Sequence, residues 1–192
     1  HGIDIVTREM DKQQLWVDRD AALALQFARA ISATSNTRSG ELTWTHLFLG
    51  ILLRAKSLRK NVRANVASKA LFELAAPNDD LTAIESYWET RGTSITKLQR
   101  RNAGPIEKMS TSASAAFAQA KQGAERSNTK LISMDALLSA LLNEHAQDNV
   151  YGQLFQADRD SLVERISKQV TANSRSEELE PFLGWMGRPD LI

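Results

Sequence analysis

A short apolar helix pattern occurs twice in this chain. Leu42–Leu53 reads LTWTHLFLGILL and Ile132–Asn143 reads ISMDALLSALLN, and their first residues are 90 positions apart. The same offset pairs Phe27 with Phe117 upstream. A small helical unit cannot bury its whole apolar face alone, so two copies are expected to pack together about a pseudo-twofold axis. The matched apolar positions are Leu47, Ile51 and Leu52 in the first copy and Leu137, Leu141 and Leu142 in the second.

Apolar residues are spaced at helical intervals almost throughout. Leu23, Phe27 and Ile31 follow the i, i+4, i+8 pattern of one helix face. Strand-like alternation is hard to find, so the sequence predicts an all-α fold with four helices in each repeat. The predicted helices are Asp18–Ala33, Thr43–Arg54, Leu58–Ala75 and Asn78–Thr90 in repeat one, and Ser110–Arg126, Ser133–His145, Asp148–Ala157 and Asp158–Thr171 in repeat two.

The segments outside the repeats have distinct compositions. Ile3, Val6 and Met10 lie near helical spacing and predict an extra N-terminal helix. The C-terminal tail is strongly apolar and is expected to be ordered, because an exposed apolar tail would favour aggregation. The predicted organisation is an extension helix (1–17), a double-repeat domain (18–172) made of repeat one (18–90), a polar linker (91–108) and repeat two (109–172), and a C-terminal tail or linker (173–192).

The overall composition narrows the classes of function. The chain has no cysteine, which removes disulfides, thiol catalysis and sulfur-ligated metal sites. Its formal net charge of +1 does not by itself favour a nucleic-acid or membrane partner. No apolar run approaches the length of a membrane span, so no membrane partner is expected. The lack of cysteine fits a reducing compartment, and we expect a cytoplasmic location.

No catalytic motif is visible in the sequence. A phosphate-binding loop ending in Gly-Lys-Ser/Thr is absent, so an ATPase site is not expected. The histidines His1, His46 and His145 form no metal-binding pair at helical spacing, and we expect His46 and His145 to be structural or surface residues. The sequence therefore predicts neither an enzyme nor a bound metal or cofactor.

The duplicated segment resembles the N-terminal domain of the Clp ATPases, which is a tandem helical repeat. In that family each repeat carries a segment similar to I-G-T-E-H-L-L-L-G-L-L. His46, Leu47, Leu49, Gly50 and Leu52 stand at the matching places, and ISMDALLSALL is a weaker copy. The resemblance covers roughly residues 18–171. It implies a module that binds substrates or adaptor proteins and, as part of a ring-forming ATPase, a homo-oligomer.

The resemblance directs attention to the two helix starts. The acidic residue of T-E-H contributes to ligand recognition in some members, including binding of phosphorylated arginine. Thr45 and Asp135 occupy those places here, so a phosphoarginine site is not expected. Trp44 and Met134 are either apolar anchors beside a groove between the repeats or buried residues. Together with the hydroxyls of Thr43, Thr45 and Ser133, which also fit helix capping, they form the predicted partner-binding set; its members are Thr43, Trp44, Thr45, Ser133, Met134 and Asp135.

A basic run lies within an insertion of about seven residues that is specific to repeat one. Its members follow i, i+3, i+4 and i+7, which would place them on one helix face. Such a stripe is either a solvated face or a contact for an acidic partner. The predicted members are Lys56, Arg59, Lys60 and Arg63.

Three interpretations of function follow. The first is a non-catalytic protein-interaction module similar to the substrate-binding or adaptor-binding domain of a Clp ATPase chaperone or protease. The second keeps the fold but makes the chain a stand-alone accessory or regulatory protein that docks on a Clp complex. The third, disfavoured by the net charge, is a helical nucleic-acid-associated regulator that uses the basic stripe.

Overall fold

The computed structural model describes the backbone at residues 3–5, 15–34, 40–59, 63–90, 108–129, 131–144, 146 and 149–186, and side chains between residues 17 and 173 within these ranges. The predicted all-α architecture is confirmed, with one short two-stranded sheet added at the N-terminus of the described chain. The strands are β1 (Ile3–Ile5) and β2 (Leu15–Val17), and the helices are α1 (Arg19–Thr34), α2 (Trp44–Lys56), α3 (Val66–Ala75), α4 (Thr82–Glu89), α5 (Thr111–Arg126), α6 (Met134–Asn143), α7 (Val150–Phe155) and α8 (Arg159–Met186).

The two duplicated helices begin in the same way. Thr43 Oγ1 accepts a hydrogen bond from the His46 backbone N–H, and His46 Nδ1 accepts one from the Thr43 N–H, which completes a capping box. Ser133 Oγ accepts a hydrogen bond from the Ala136 N–H at 3.1 Å. The predicted N-caps are therefore confirmed, and His46 is a structural residue, whereas His145 lies outside the described residues.

The two halves exchange backbone hydrogen bonds. The segment before α1 pairs in parallel with the segment before α6, where the Asp18 N–H donates to the Ile132 carbonyl at 3.0 Å. The segment before α5 pairs in the same way with the segment before α2, through Leu42 and its neighbours Lys108 and Ser110. This reciprocal arrangement supports the predicted pseudo-twofold packing, which otherwise stays a prediction.

Helices α1 and α2 pack unusually closely because α2 carries a glycine at the contact. A Cβ atom at Gly50 would lie 2.4 Å from the Ala24 carbonyl oxygen and 2.9 Å from the Ala28 Cβ. The first of these neighbours is backbone, so it cannot rotate away. The small residues on α1 and the glycine on α2 therefore set the separation of the two helices.

Gly50→Ala is expected to lower the free energy of unfolding by about 1–3 kcal/mol, because the added methyl group forces α1 and α2 apart. Gly123→Ala is the matched control, since Gly123 lies in α5 and a Cβ atom there would have no neighbouring atom within 4 Å. That change should raise stability by about 0.5–1 kcal/mol through helix propensity. Urea unfolding followed by circular dichroism measures both; a Gly50→Ala protein at least as stable as wild type would refute the close packing.

The predicted N-terminal helix is wrong where the structure describes it. Residues Ile3–Ile5 and Leu15–Val17 form antiparallel strands, in the register Ile3 with Val17. Ile3 and Ile5 are β-branched and alternate with Asp4, a pattern that favours a strand. Val17 then continues the pairing by bridging to Ile132, so the strand is anchored to the second half of the molecule.

Helix α3 is shorter than predicted, because the chain leaves the helical path after Lys56. The Ser57 hydroxyl donates to the Arg54 carbonyl at 2.7 Å, and this local hydrogen bond competes with continuation of α2. The next helix begins only after Asn65, which adopts the left-handed conformation with φ of 59°. The predicted helix beginning at Leu58 therefore starts at Val66.

Helix α8 closes the second half against α3 of the first. The Glu73 carboxylate accepts hydrogen bonds from Gln169 Nε2 at 2.9 Å and from Asn173 Nδ2 at 3.1 Å. The helix continues to Met186 without a break at residue 172, where the sequence predicted the start of a tail. Most of the predicted linker, residues 91–107, and the docking of the apolar tail side chains lie outside the described residues.

Candidate functional site

Both apolar residues of the predicted partner-binding set are buried. Trp44 is 1% exposed and Met134 is 0% exposed. Trp44 Nε1 donates a buried hydrogen bond to the Leu141 carbonyl oxygen at 2.8 Å, so the start of α2 is joined to the end of α6. Of the two interpretations of Trp44 and Met134, their burial supports buried core residues rather than apolar anchors beside a groove.

An aromatic cluster surrounds Trp44. Its ring stacks on Phe48 at a centroid distance of 5.0 Å and meets Tyr151 of α7 edge-on at 5.8 Å. Phe48 also packs edge-on against Phe155 at 6.2 Å. Burial raises the pKa of Tyr151 to about 12, which keeps its hydroxyl neutral. The cluster is thus a contact between α2 and α7, and sequence reasoning missed the two residues that α7 contributes.

Asp135 binds the start of a helix in the other half of the molecule. Its carboxylate accepts hydrogen bonds from the backbone N–H groups of Ala67 and Ser68, at 3.0 and 2.8 Å, and from Ser68 Oγ at 2.6 Å. The Asp135 N–H in turn donates to Asn65 Oδ1 at 3.2 Å. Asp135 therefore caps α3, where a negative charge is favoured by the helix dipole.

Asp20 extends these contacts to helices α1 and α2. One of its oxygens accepts two hydrogen bonds from the Arg54 guanidinium, at 2.7 and 3.0 Å, and the other accepts one from Asn65 Nδ2 at 2.8 Å. Asn65 thus bridges Asp20 and Asp135. We call this network the inter-repeat clasp; it consists of Asp20, Arg54, Asn65, Ser68 and Asp135.

Asp18 lies beside the clasp and has an unfavourable electrostatic environment. Burial raises the pKa of this carboxyl, and the nearby charges of Asp20 and Asp135 raise it further. The hydrogen bond from the Ala21 N–H to Asp18 Oδ1, at 2.8 Å, opposes the rise. Ionisation of Asp18 therefore costs stability at neutral pH, although the side chain still caps α1.

The two helix starts do not form one site. Trp44 contacts the last part of α6, whereas Asp135 belongs to the clasp, which includes Arg54 in the last turn of α2. A rise of 1.5 Å per residue places Trp44 and Arg54 about 15 Å apart along α2. Thr43 and Ser133 are occupied as caps, and Thr45 is largely buried. The predicted set is thus divided between opposite ends of the helix pair.

The residues of the predicted basic run that the structure describes are exposed, but they do not share a helix. Lys56 ends α2, while Arg59 and Arg63 lie in the segment between α2 and α3; Lys60 lies outside the described residues. The predicted single helix face is therefore wrong. The clasp holds both ends of this segment through Arg54 and Asn65, and we call Lys56, Arg59 and Arg63 the basic pole.

A shallow groove of about 670 Å³ lies between α4 and α7 and was not predicted. Tyr87, Thr90 and Gln153 in its wall each take part in other interactions. No described group of three His, Asp or Glu side chains could hold a metal ion. Across the described ranges, no helix has the length and hydropathy that a bilayer span requires. The groove is lined by Ala83, Ser86, Tyr87, Thr90 and Gln153.

Known proteins resemble this chain in structure rather than in sequence. No family model matches the chain, and no curated protein sequence matches it. The crystal structure of the N-terminal domain of the caseinolytic protease associated chaperone ClpD from Arabidopsis thaliana is similar, with 14% sequence identity and a TM-score of 0.49. The alignment covers 81% of this chain and 94% of that chain. A likeness at this level assigns no function and no binding residue to the present chain.

Proposed function

We propose that this chain is a non-catalytic protein-interaction module that binds an acidic segment of a partner protein at the basic pole. The observation that carries the proposal is the exposure of three cations on a segment held at both ends by the clasp. Lys56, Arg59 and Arg63 are all exposed, and none forms an ion pair within the part of the chain that the structure describes.

Charge arrangement around the basic pole supports an anionic partner. Residues 54–72 contain six Lys or Arg residues and no Asp or Glu. The carboxylates of the clasp accept hydrogen bonds from Arg54, Asn65 and the start of α3 rather than from the basic pole. No described carboxylate pairs with Lys56, Arg59 or Arg63, so a partner carboxylate can pair with them, which accelerates association and orients the bound segment.

The mechanism is docking without any covalent step. Because the clasp fixes the ends of the basic segment, less conformational entropy is lost when a partner binds than with an untethered loop. Each exposed ion pair contributes only about 0.2–1 kcal/mol, so the three cations together support a weak and salt-sensitive contact. Such a contact suits transient recognition of partner segments.

The proposal is tested with a fluorescein-labelled oligoglutamate peptide as the probe. Reversal of the basic pole, by Lys56→Glu with Arg59→Glu and Arg63→Glu, is expected to weaken its binding about tenfold or more at low salt. The matched control reverses Lys108, Arg126 and Lys168, which lie elsewhere on the described surface. Both triple variants change the net charge from +1 to −5, so they separate a local contact from general electrostatic attraction. Fluorescence anisotropy measures the Kd.

Two outcomes would contradict the assignment. Equal loss of oligoglutamate binding in both triple variants would remove the basic pole as a site. Tighter binding of a duplex DNA oligonucleotide than of oligoglutamate, with a steep salt dependence, would favour the nucleic-acid interpretation instead.

The finer proposal is that the partner is a substrate segment or adaptor of a Clp ATPase chaperone or protease, as the sequence resemblance implies. The alternative is a stand-alone accessory protein that docks on a Clp complex. Affinity capture with the wild type and the basic-pole variant, followed by mass spectrometry, distinguishes the two. Clp ATPase or protease subunits that depend on the basic pole would indicate the accessory role, and diverse proteins or one adaptor would indicate recognition.

A further inference from the structure

Charges of opposite sign are segregated along the first half of the chain. Residues 54–72 carry six basic residues and no acidic residue, and residues 73–90 carry five acidic residues and no basic residue. A surface usually intersperses the two signs, and a separation of this kind creates local fields of opposite sign. The sequence order therefore places a positive block directly before a negative block.

The fold turns these two blocks into separate surface regions. Four acidic residues after α3 are exposed, and we call them the acidic pole: Asp79, Asp80, Glu85 and Glu89. The basic pole precedes α3 and the acidic pole follows it, and the ten residues of α3 are about 15 Å long. Glu85 and Glu89 are four residues apart in α4 and therefore share one helix face.

The carboxylates of the acidic pole are also without ion-pair partners in the described part of the chain. The Asp80 carboxylate accepts hydrogen bonds from the Thr82 hydroxyl and N–H, which lower its pKa and keep it ionised. None of the four carboxylates forms an ion pair among the described residues. The described residues thus present two exposed regions of opposite charge, with no ion pair within or between these regions.

We infer that the basic pole of one copy of this chain binds the acidic pole of a second copy. Complementarity of charge is the reason for choosing this occupant, because each copy supplies both regions and their charges nearly balance. In such a contact, the three cations of one copy would pair with the four carboxylates of the other, without any other protein. The contact shares the basic pole with the proposed function, so self-association and binding of an acidic partner segment should compete.

The contact is expected to be weak and strongly dependent on salt. Exposed charges act over about 30 Å at an ionic strength of about 0.01 M but only over about 8 Å at about 0.15 M. The Kd for self-association should therefore rise at least about tenfold between about 20 mM and about 300 mM NaCl. Sedimentation velocity over a concentration series measures it with the wild-type chain.

Complementary neutralised variants test the contact. The basic-pole variant carries Lys56→Gln, Arg59→Gln and Arg63→Gln, and the acidic-pole variant carries Asp79→Asn, Glu85→Gln and Glu89→Gln. Asp80 is left unchanged because its carboxylate accepts two hydrogen bonds from Thr82 at the start of α4, and asparagine suits the positive φ of 63° at Asp79. Each variant alone should be monomeric, whereas an equimolar mixture should form a one-to-one complex, since each protein retains one intact pole.

The outcomes separate this inference from the proposed function. A dimer or larger assembly of wild type at low salt, lost in both variants and recovered in the mixture, supports the contact. A wild-type chain that stays monomeric at low salt, or variants that associate as well as wild type, would overturn it. If the wild-type chain still binds oligoglutamate in either of those cases, the self-contact is refuted and the proposed function stands. A triple variant with Lys108→Gln, Arg126→Gln and Lys168→Gln should associate like wild type.

Discussion

Trp44→Ala is expected to lower the free energy of unfolding by about 3–5 kcal/mol. The substitution removes a fully buried indole that stacks on Phe48 and contacts Tyr151, and it leaves a cavity between α2 and α7. It also leaves the Leu141 carbonyl without the hydrogen bond from Trp44 Nε1. Urea unfolding followed by far-ultraviolet circular dichroism measures the change without depending on tryptophan fluorescence.

Trp44→Phe is the control for the hydrogen bond. Phenylalanine keeps an aromatic ring beside Phe48 but cannot donate to the Leu141 carbonyl. We therefore expect the free energy of unfolding to fall by only about 1–2 kcal/mol, through the lost hydrogen bond and the smaller ring. A Trp44→Ala protein that unfolds within about 1 kcal/mol of wild type would contradict the buried position of this residue.

Asp135→Ala is expected to cost about 2–3 kcal/mol, because it removes the cap of α3. The backbone N–H groups of Ala67 and Ser68 would lose their carboxylate acceptor, and Ser68 is fully buried. Asp135→Asn should recover only part of the loss, since its single carbonyl oxygen cannot accept all three hydrogen bonds in the present geometry. Chemical unfolding at neutral pH measures both variants.

Asp18→Asn provides a control of opposite sign next to the same clasp. Asparagine can still accept the hydrogen bond from Ala21, but it removes a carboxylate whose folded-state pKa is raised. Because a raised carboxyl pKa means that stability falls as pH increases from the ordinary value of 3.8 through the folded value, the variant should equal or exceed wild type at neutral pH. The stabilities of the two proteins should converge below about pH 3.8, where Asp18 is protonated in both the folded and the unfolded state. If Asp18→Asn lowered the free energy of unfolding as much as Asp135→Ala does, the charge of Asp18 would not be unfavourable as proposed.

These stability effects limit what substitutions at the helix starts can say about binding. Trp44 and Asp135 each connect the two halves of the molecule, so a variant that lacks both would lose partners because it unfolds. The basic pole is exposed, and charge reversal there should leave the fold intact. Binding tests at Lys56, Arg59 and Arg63 therefore report on recognition more directly.

Local patterns in the sequence predicted much of the fold. The spacing of apolar residues located the eight α-helices of the described ranges, and the hydroxyls of Thr43 and Ser133 marked two helix starts within one residue. Both features depend on interactions between residues three or four positions apart. For the same reason the early strand was missed, because Val17 is stabilised by pairing with Ile132, which is distant in sequence.

The site was harder to predict because its geometry depends on contacts between the halves. From the sequence, Asp135 is expected to act only at the start of its own helix. In the structure, its carboxylate accepts hydrogen bonds from Ala67 and Ser68 of another helix. Nothing in the order of the residues brings Asp20 and Asn65 together across 45 positions. The charge segregation of residues 54–90, in contrast, can be read directly from the sequence and could have indicated the two poles.

Titration of ¹⁵N-labelled protein with oligoglutamate, followed by heteronuclear NMR, tests the central claim most directly. We predict that amide shift changes concentrate at Lys56, Arg59 and Arg63 and in the first turn of α3. The starts of α2 and α6, at Trp44 and Met134, should change little because both residues are buried. Shift changes centred on those helix starts or on the α4–α7 groove, or no saturable change at low salt, would contradict binding at the basic pole.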